Sequence, residues 1–204
     1  RGGVPVELRV AVTHHGPVVS GDPASGHALS FRYTATAEPN MGFQCIRRML
    51  STTSIAEHDA AMSEWVDPCN NFMFVDVHGD MEYLTRGKVP VRNPANHWLP
   101  VPGWTGEHEW EGFVPFDEMP RSKNPEKGYI VTANNKIVGD DYPHYLGLFF
   151  STEYRARRIA ARLETLEAAT VADMGSVHAE RVSMPAQAYI PLLRGTAASD
   201  ELAG

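Results

Sequence analysis

The chain has 204 residues with 18 Lys and Arg against 25 Asp and Glu, a formal charge of −7, and its 43% hydrophobic and 21% charged residues exclude a disordered or collagen-like chain. The acidic balance argues against a nucleic-acid partner, because phosphate recognition needs a basic face, and the one dense basic run (Arg155, Arg157, Arg158, Arg162) reads as a solvated helix face. No run nears the roughly 20 apolar residues that span a bilayer and no segment has signal-peptide layout, so a soluble piece without a membrane partner is expected.

In chain order, Val4, Val6, Leu8, Val10 and Val12 alternate with Pro5, Glu7, Arg9 and Ala11, the period-two pattern of a half-buried strand. A chain that opens at Arg1 and enters a strand almost at once implies partner strands upstream, as in an excerpt of a longer protein. After the turn signals His15-Gly16-Pro17 and Gly21-Asp22-Pro23, Leu29, Phe31 and Tyr33 mark a second strand. Ser54 with Glu57 forms a capping-box pattern, and Ile55, Met62, Trp65 and Val66 carry a helix that ends at Asp67-Pro68. Phe72 to Val75 is apolar on both faces, which predicts a strand in the middle of a layer, and His78-Gly79-Asp80 turns it into a partner over Met81 to Leu84.

From Pro90 to Pro120 the chain is rich in Pro, Gly and Trp and has little periodicity; a loop this long is functional or packed against another part of the molecule. Tyr129-Ile130-Val131 predicts a short strand ending in Thr132-Ala133-Asn134-Asn135. Ser151 is placed to cap a helix carrying Tyr154, Ile159, Leu163 and Leu166, and Thr170 with Asp173 to cap another through Met174 and Val177. Strands, helix, hairpin, loop, strand, helices reads as α+β with mostly antiparallel strands and C-terminal helices. Cys45 and Cys69 leave a bridge and two free thiols both open.

Chemistry is sparse outside one region. His14 and His15, as neighbours on a strand, would point to opposite faces, and no HExxH occurs, so no metal is expected. Asp117-Glu118 and Asp140-Asp141 read as solvated loop carboxylates. GxSxG, P-loop and GxGxxG patterns are absent from the sequence.

The region from Val75 to Ile159 is different. Five blocks stand in order: Asn71 to Asp80, Gly87 to Arg92, Leu99 to Gly103 with Trp110 to Phe116, Asn124-Pro125 with Gly128 to Asn135, and Asp141-Tyr142-Pro143 with Arg155 to Ile159. In these blocks the sequence resembles the penicillin acylase family of N-terminal-nucleophile (Ntn) amidohydrolases, which includes cephalosporin and acyl-homoserine-lactone acylases. The resemblance implies that residues 1–204 are a partial β-subunit, part of an αββα Ntn-hydrolase sandwich.

It also implies a chemistry. Amide hydrolysis passes through a tetrahedral oxyanion, and each preorganised donor to it contributes about 2.7–4 kcal/mol. The family asparagine that supplies one such donor matches Asn134, and a family arginine that orients this asparagine and the nucleophile's amine matches Arg155; a fixed cation there favours the neutral amine. Asn70 and Phe72 fall near the family's acyl pocket, against the competing reading of turn and core.

The family nucleophile is a free N-terminal Ser, Thr or Cys released by self-cleavage, whose own amine is the base. Residue 1 is arginine, and Ser-Asn never occurs. The expectation is a fragment, inactive and marginally stable by itself, that lacks the α-subunit and the N-terminal part of the β-subunit. No cofactor is expected in it; calcium, common in the family, is left to the whole parent, since the acidic position after Asp-Tyr-Pro is here His144. The substrate would be a small acyl amide and the location periplasmic or secreted. A non-enzymatic module that binds acyl amides is the alternative.

Overall fold

The computed structural model describes residues 2–194 and 196, except the side chain of residue 97. The chain forms two compact units, Arg1–Glu126 with Asp140–Leu148, and Lys127–Gly139 with Phe149–Gly204.

The first unit begins with strands β1 (Val12–Thr13), β2 (Gly16–Asp22) and β3 (His27–Ser30), an antiparallel sheet in that order. The alternating stretch before it does not become the expected strand. Residues 4–11 lie outside any ladder, and Val4, Val6 and Leu8 are exposed. Alternation defines an apolar face but supplies no neighbour, and a strand needs one. The second predicted strand is shifted: it ends at Ser30, and Phe31 to Tyr33 run on outside it.

Helices α1 (Thr34–Ala37), α2 (Gly42–Met49) and α3 (Ile55–Ala61) follow. At α3 the Ser54 side chain accepts from the Glu57 backbone N–H, as expected of an N-cap. The Glu57 carboxylate, however, accepts from the N–H and hydroxyl of Thr53, one residue before the cap. The helix stops at Ala61, short of Trp65 and Val66.

The hairpin forms as expected from β4 (Asn70–Val75) and β5 (Met81–Arg86), joined through Asp76, whose carboxylate accepts from the N–H groups of His78 and Asp80. A third strand, β6 (Arg121–Lys123), adds to β5, so the sheet order is β4-β5-β6. This corrects the position of the apolar run: β4 lies at the edge, and β5 takes the middle, buried from Glu82 to Arg86. Burial there costs polar groups their water, and partners replace it. Arg86, 2% exposed, is paired with Asp59, whose other oxygen accepts from Arg121 at 2.8 Å; both guanidiniums lie over the Phe116 ring. Burial lowers the Arg86 pKa to about 10, with Arg121 adding to the effect, so the group stays charged at neutral pH.

The long loop remains without a strand or α-helix, apart from 3-10 turns at Pro94–His97 and Phe116–Glu118. Val89, Val114 and Met119 form its core with Val91 and Leu146. Gly87 lets the chain pass Cys69: at φ +150 a Cβ there would lie 2.6 Å from the Cys69 Cα. Both cysteines are free.

In the second unit the expected strand at Tyr129-Ile130-Val131 is not formed; the segment has no ladder partner among the described residues. Helices α4 (Tyr154–Leu163), α5 (Val171–Ala179) and α6 (Met184–Arg194) make up the rest. The Thr170 and Asp173 capping box is complete in both directions. Ser151 does not cap α4; Glu153 occupies that position without a side-chain cap. The described elements are therefore α+β, with every strand pair antiparallel.

Candidate functional site

Asn134 sits in a bend anchored by Ala133, the one buried residue among those described in the second unit. The Ala133 N–H donates to Asn135 Oδ1 at 3.0 Å, a local turn typical of Asn pairs. Asn134 itself has φ +62, the left-handed region that asparagine tolerates. Its backbone carbonyl accepts from the Ser151 N–H at 2.7 Å. The chain then enters α4, which places Arg155 in the first turn beside the same bend.

Arg155 Nη2 donates to the Ala133 carbonyl and to Asn134 Oδ1, each at 2.8 Å. A guanidinium has donors only, so the end of the Asn134 amide facing it must be the oxygen. The amide nitrogen, with two N–H donors, is thereby turned away from Arg155 on an exposed residue. The arrangement can present an oriented pair of N–H groups to an anionic oxygen, with a cation behind them that strengthens the donors by polarising the amide.

Asn70 and Phe72 belong to the first unit, on β4. Asn70 is exposed and lies opposite Arg86 in the ladder. Phe72 packs edge-on against Trp65, centroids 5.5 Å apart, and lies 6.2 Å from Phe74. Next to them, Asn71 Oδ1 accepts from the hydroxyls of Tyr83 at 2.7 Å and Thr85 at 3.2 Å.

Three readings of the sequence are corrected here. The arginine run is not simply a solvated face: besides Arg155, Arg158 Nε donates to Glu180 at 2.9 Å, and Arg162 reaches Ser176 at 3.1 Å and Glu180 at 3.6 Å. Glu118 is not a merely solvated loop carboxylate, since it pairs with His144 and its carbonyl accepts from the Tyr142 hydroxyl at 2.9 Å. His14 and His15 do not point apart on a strand. They occupy the turn between β1 and β2, their rings 3.7 Å apart, and both face Glu109. Glu109 lies more than ninety residues away in sequence and offered no local signal.

Comparison with known proteins gives a consistent picture. The profile of the penicillin amidase family matches residues 1–204. The chain is 43% identical over 183 residues to the penicillin acylase 2 proenzyme of Pseudomonas sp. (strain SE83), a match covering 90% of this chain and 24% of that protein. It is 25% identical over 165 residues to the acyl-homoserine lactone acylase QuiP of Pseudomonas fluorescens (strain Pf-5), covering 78% of this chain and 20% of the relative. The chain thus spans about a quarter or less of the length of these relatives. The fold is similar to that of the thermostable penicillin G acylase from Alcaligenes faecalis, with TM-score 0.69, 22% identity, and coverage of 98% of this chain and 37% of that one.

Proposed function

Because this chain belongs to the penicillin amidase family, we propose that it is part of an acylase that hydrolyses a linear amide, with Asn134 as an oxyanion donor and Arg155 as its positioning residue. The observation that carries the reading is the 2.8 Å contact from Arg155 Nη2 to Asn134 Oδ1.

On this reading the nucleophile is a Ser, Thr or Cys at a chain terminus of the parent protein. Its oxygen or sulfur adds to the amide carbonyl carbon while its own amine takes the proton. The carbonyl oxygen becomes an oxyanion, and Asn134 Nδ2–H donates to it. Arg155 holds the other end of the amide, so little reorientation is needed as charge develops. Collapse of the intermediate breaks the C–N bond, and the departing amine takes the proton back. Water repeats the cycle on the resulting acyl-enzyme and frees the acid.

The higher identity to the penicillin acylase than to the acyl-homoserine lactone acylase, 43% against 25%, favours a penicillin-type amide as the first substrate to assay. The word proenzyme in that relative's name agrees with proteolytic processing of the parent. The test is to express the parent protein, determine the intact mass and N-terminal sequence of its products, and assay both amide classes. A product beginning with Ser, Thr or Cys together with turnover supports the reading. An uncut chain that binds acyl amides without turnover overturns it in favour of a binding module.

A further inference from the structure

The cluster around Glu109 takes no part in the proposed amide chemistry, and it brings together two loops distant in sequence. Glu109 Oε1 lies 2.6 Å from His15 Nε2 and 3.3 Å from His14 Nε2. One ligand atom from each of the three residues falls within 4.8 Å of the others. We propose that His14, His15 and Glu109 form a site for one divalent transition-metal ion of the zinc class, which ties the β1–β2 turn to the Trp-rich loop.

The donor set fits that chemistry. Zinc takes imidazole nitrogen and carboxylate oxygen, and three protein ligands leave a fourth position for water. Ligand atoms placed tetrahedrally at about 2.0–2.1 Å from an ion are about 3.3 Å apart. The His14 to Glu109 separation of 3.3 Å already has that value. The 2.6 Å separation of His15 from Glu109 is a hydrogen bond and has to open by roughly 0.7 Å on metal entry.

The surroundings prepare the ligands. Arg32 Nη1 lies 3.3 Å from Glu109 Oε2 and its guanidinium stacks 4.4 Å over Trp110, which engages the second oxygen and leaves Oε1 to the histidines. The outer contact orients the carboxylate as second-layer partners of metal ligands do. Gly103 packs against the Nδ1 edge of His15, where a Cβ would lie 3.1 Å away, so the loop closes tightly over that ring and a larger residue would push the imidazole by a few tenths of an ångström. His15 is 16% exposed and His14 70%, which leaves a route for the ion from solvent.

The test uses the intact parent protein and does not read amide hydrolysis, so its outcome is separate from that of the acylase reading. Co²⁺ and Zn²⁺ are titrated into wild type, Glu109→Gln and His15→Gln, with the Co²⁺ visible absorption and the Zn²⁺ dissociation constant as readouts and circular dichroism as the check on folding. The expected result is one Co²⁺ per chain displaced by Zn²⁺, with affinity at least about tenfold weaker in each folded variant. His14→Gln, on the more exposed ring, supplies a third variant should either of the others misfold. Absence of a Co²⁺ spectrum in folded wild type overturns the site, leaving a metal-free hydrogen-bonded clip. Equal affinity in the folded variants overturns it as well.

Discussion

Arg155 and Asn134 are 21 residues apart in sequence, yet one guanidinium nitrogen holds both the Asn134 side-chain oxygen and the preceding carbonyl of Ala133, each at 2.8 Å. This contact decides which end of the asparagine amide is presented outward. A turn residue of ordinary chemistry thereby becomes an oriented donor.

Arg155 acts through Asn134, so its removal should lower kcat and leave KM nearly unchanged. Arg155→Ala frees the amide to rotate, and a loss of about 100-fold in kcat is expected, typical of a misplaced group. Arg155→Lys restores a cation but not the fork that spans two acceptors, and recovers only part of the loss. Steady-state kinetics of the processed parent reads the split; a rise in KM with kcat intact contradicts it.

Asp59 neutralises Arg86 in the middle of the second sheet. Asp59→Ala leaves a charge 2% exposed without its counterion, and a loss of about 3–5 kcal/mol is expected. Arg86→Met with Asp59→Ala removes both charges and should recover most of that loss. Urea unfolding of wild type and the two variants decides it; equal destabilisation in both contradicts the account.

Gly87 is fixed by its neighbour as well as by its backbone. Gly87→Ala places a Cβ 2.6 Å from the Cys69 Cα at φ +150, so at least about 1–3 kcal/mol should be lost from strain at that position. Thermal unfolding measures it, and an unchanged midpoint would show that the Cys69 segment gives way freely.

The cap of α5 should respond to acid. The Asp173 carboxyl is held below its usual range, first by the Thr170 hydroxyl and then by the Thr170 backbone N–H. A depressed carboxyl stabilises the fold above its unfolded pKa, about 3.9, and that contribution is lost as pH falls through the lower folded value. Hydrogen exchange of the α5 amides should therefore separate wild type from Thr170→Ala most at neutral pH. The gap should narrow below about pH 3.9, without closing, because the Thr170 hydroxyl still accepts from the Asp173 N–H at 3.2 Å.

The elements legible in the sequence are those whose reason is local. The hairpin at Asn70–Arg86 carries its turn in Asp76 to Asp80, and the Thr170 cap carries its partner three residues on. β6 was illegible because Arg-Ser-Lys has no apolar pattern; it is a strand because β5 offers an edge, and its Arg121 is drawn to Asp59. Residues 4–11 show the converse, a clear alternation that joins no ladder among the described residues and meets β2 only at its end, where the Ala11 carbonyl accepts from the Val18 N–H at 2.8 Å. α2 begins at Gly42, shortly after Pro39, residues that carry turn rather than helix chemistry, and its Cys45 is buried. At the site, Asn134 and Arg155 were named through the block resemblance, whereas their bond depends on how the bend meets α4. Glu109 was out of reach, since only the folded turn brings both histidines to it.

The most direct test of the account is the kinetics of Asn134→Ala in the processed parent protein, on an amide that wild type hydrolyses. Loss of one oxyanion donor predicts a fall in kcat of about 10²–10³ with KM little changed. A variant that processes normally and keeps wild-type kcat would contradict the assignment of Asn134.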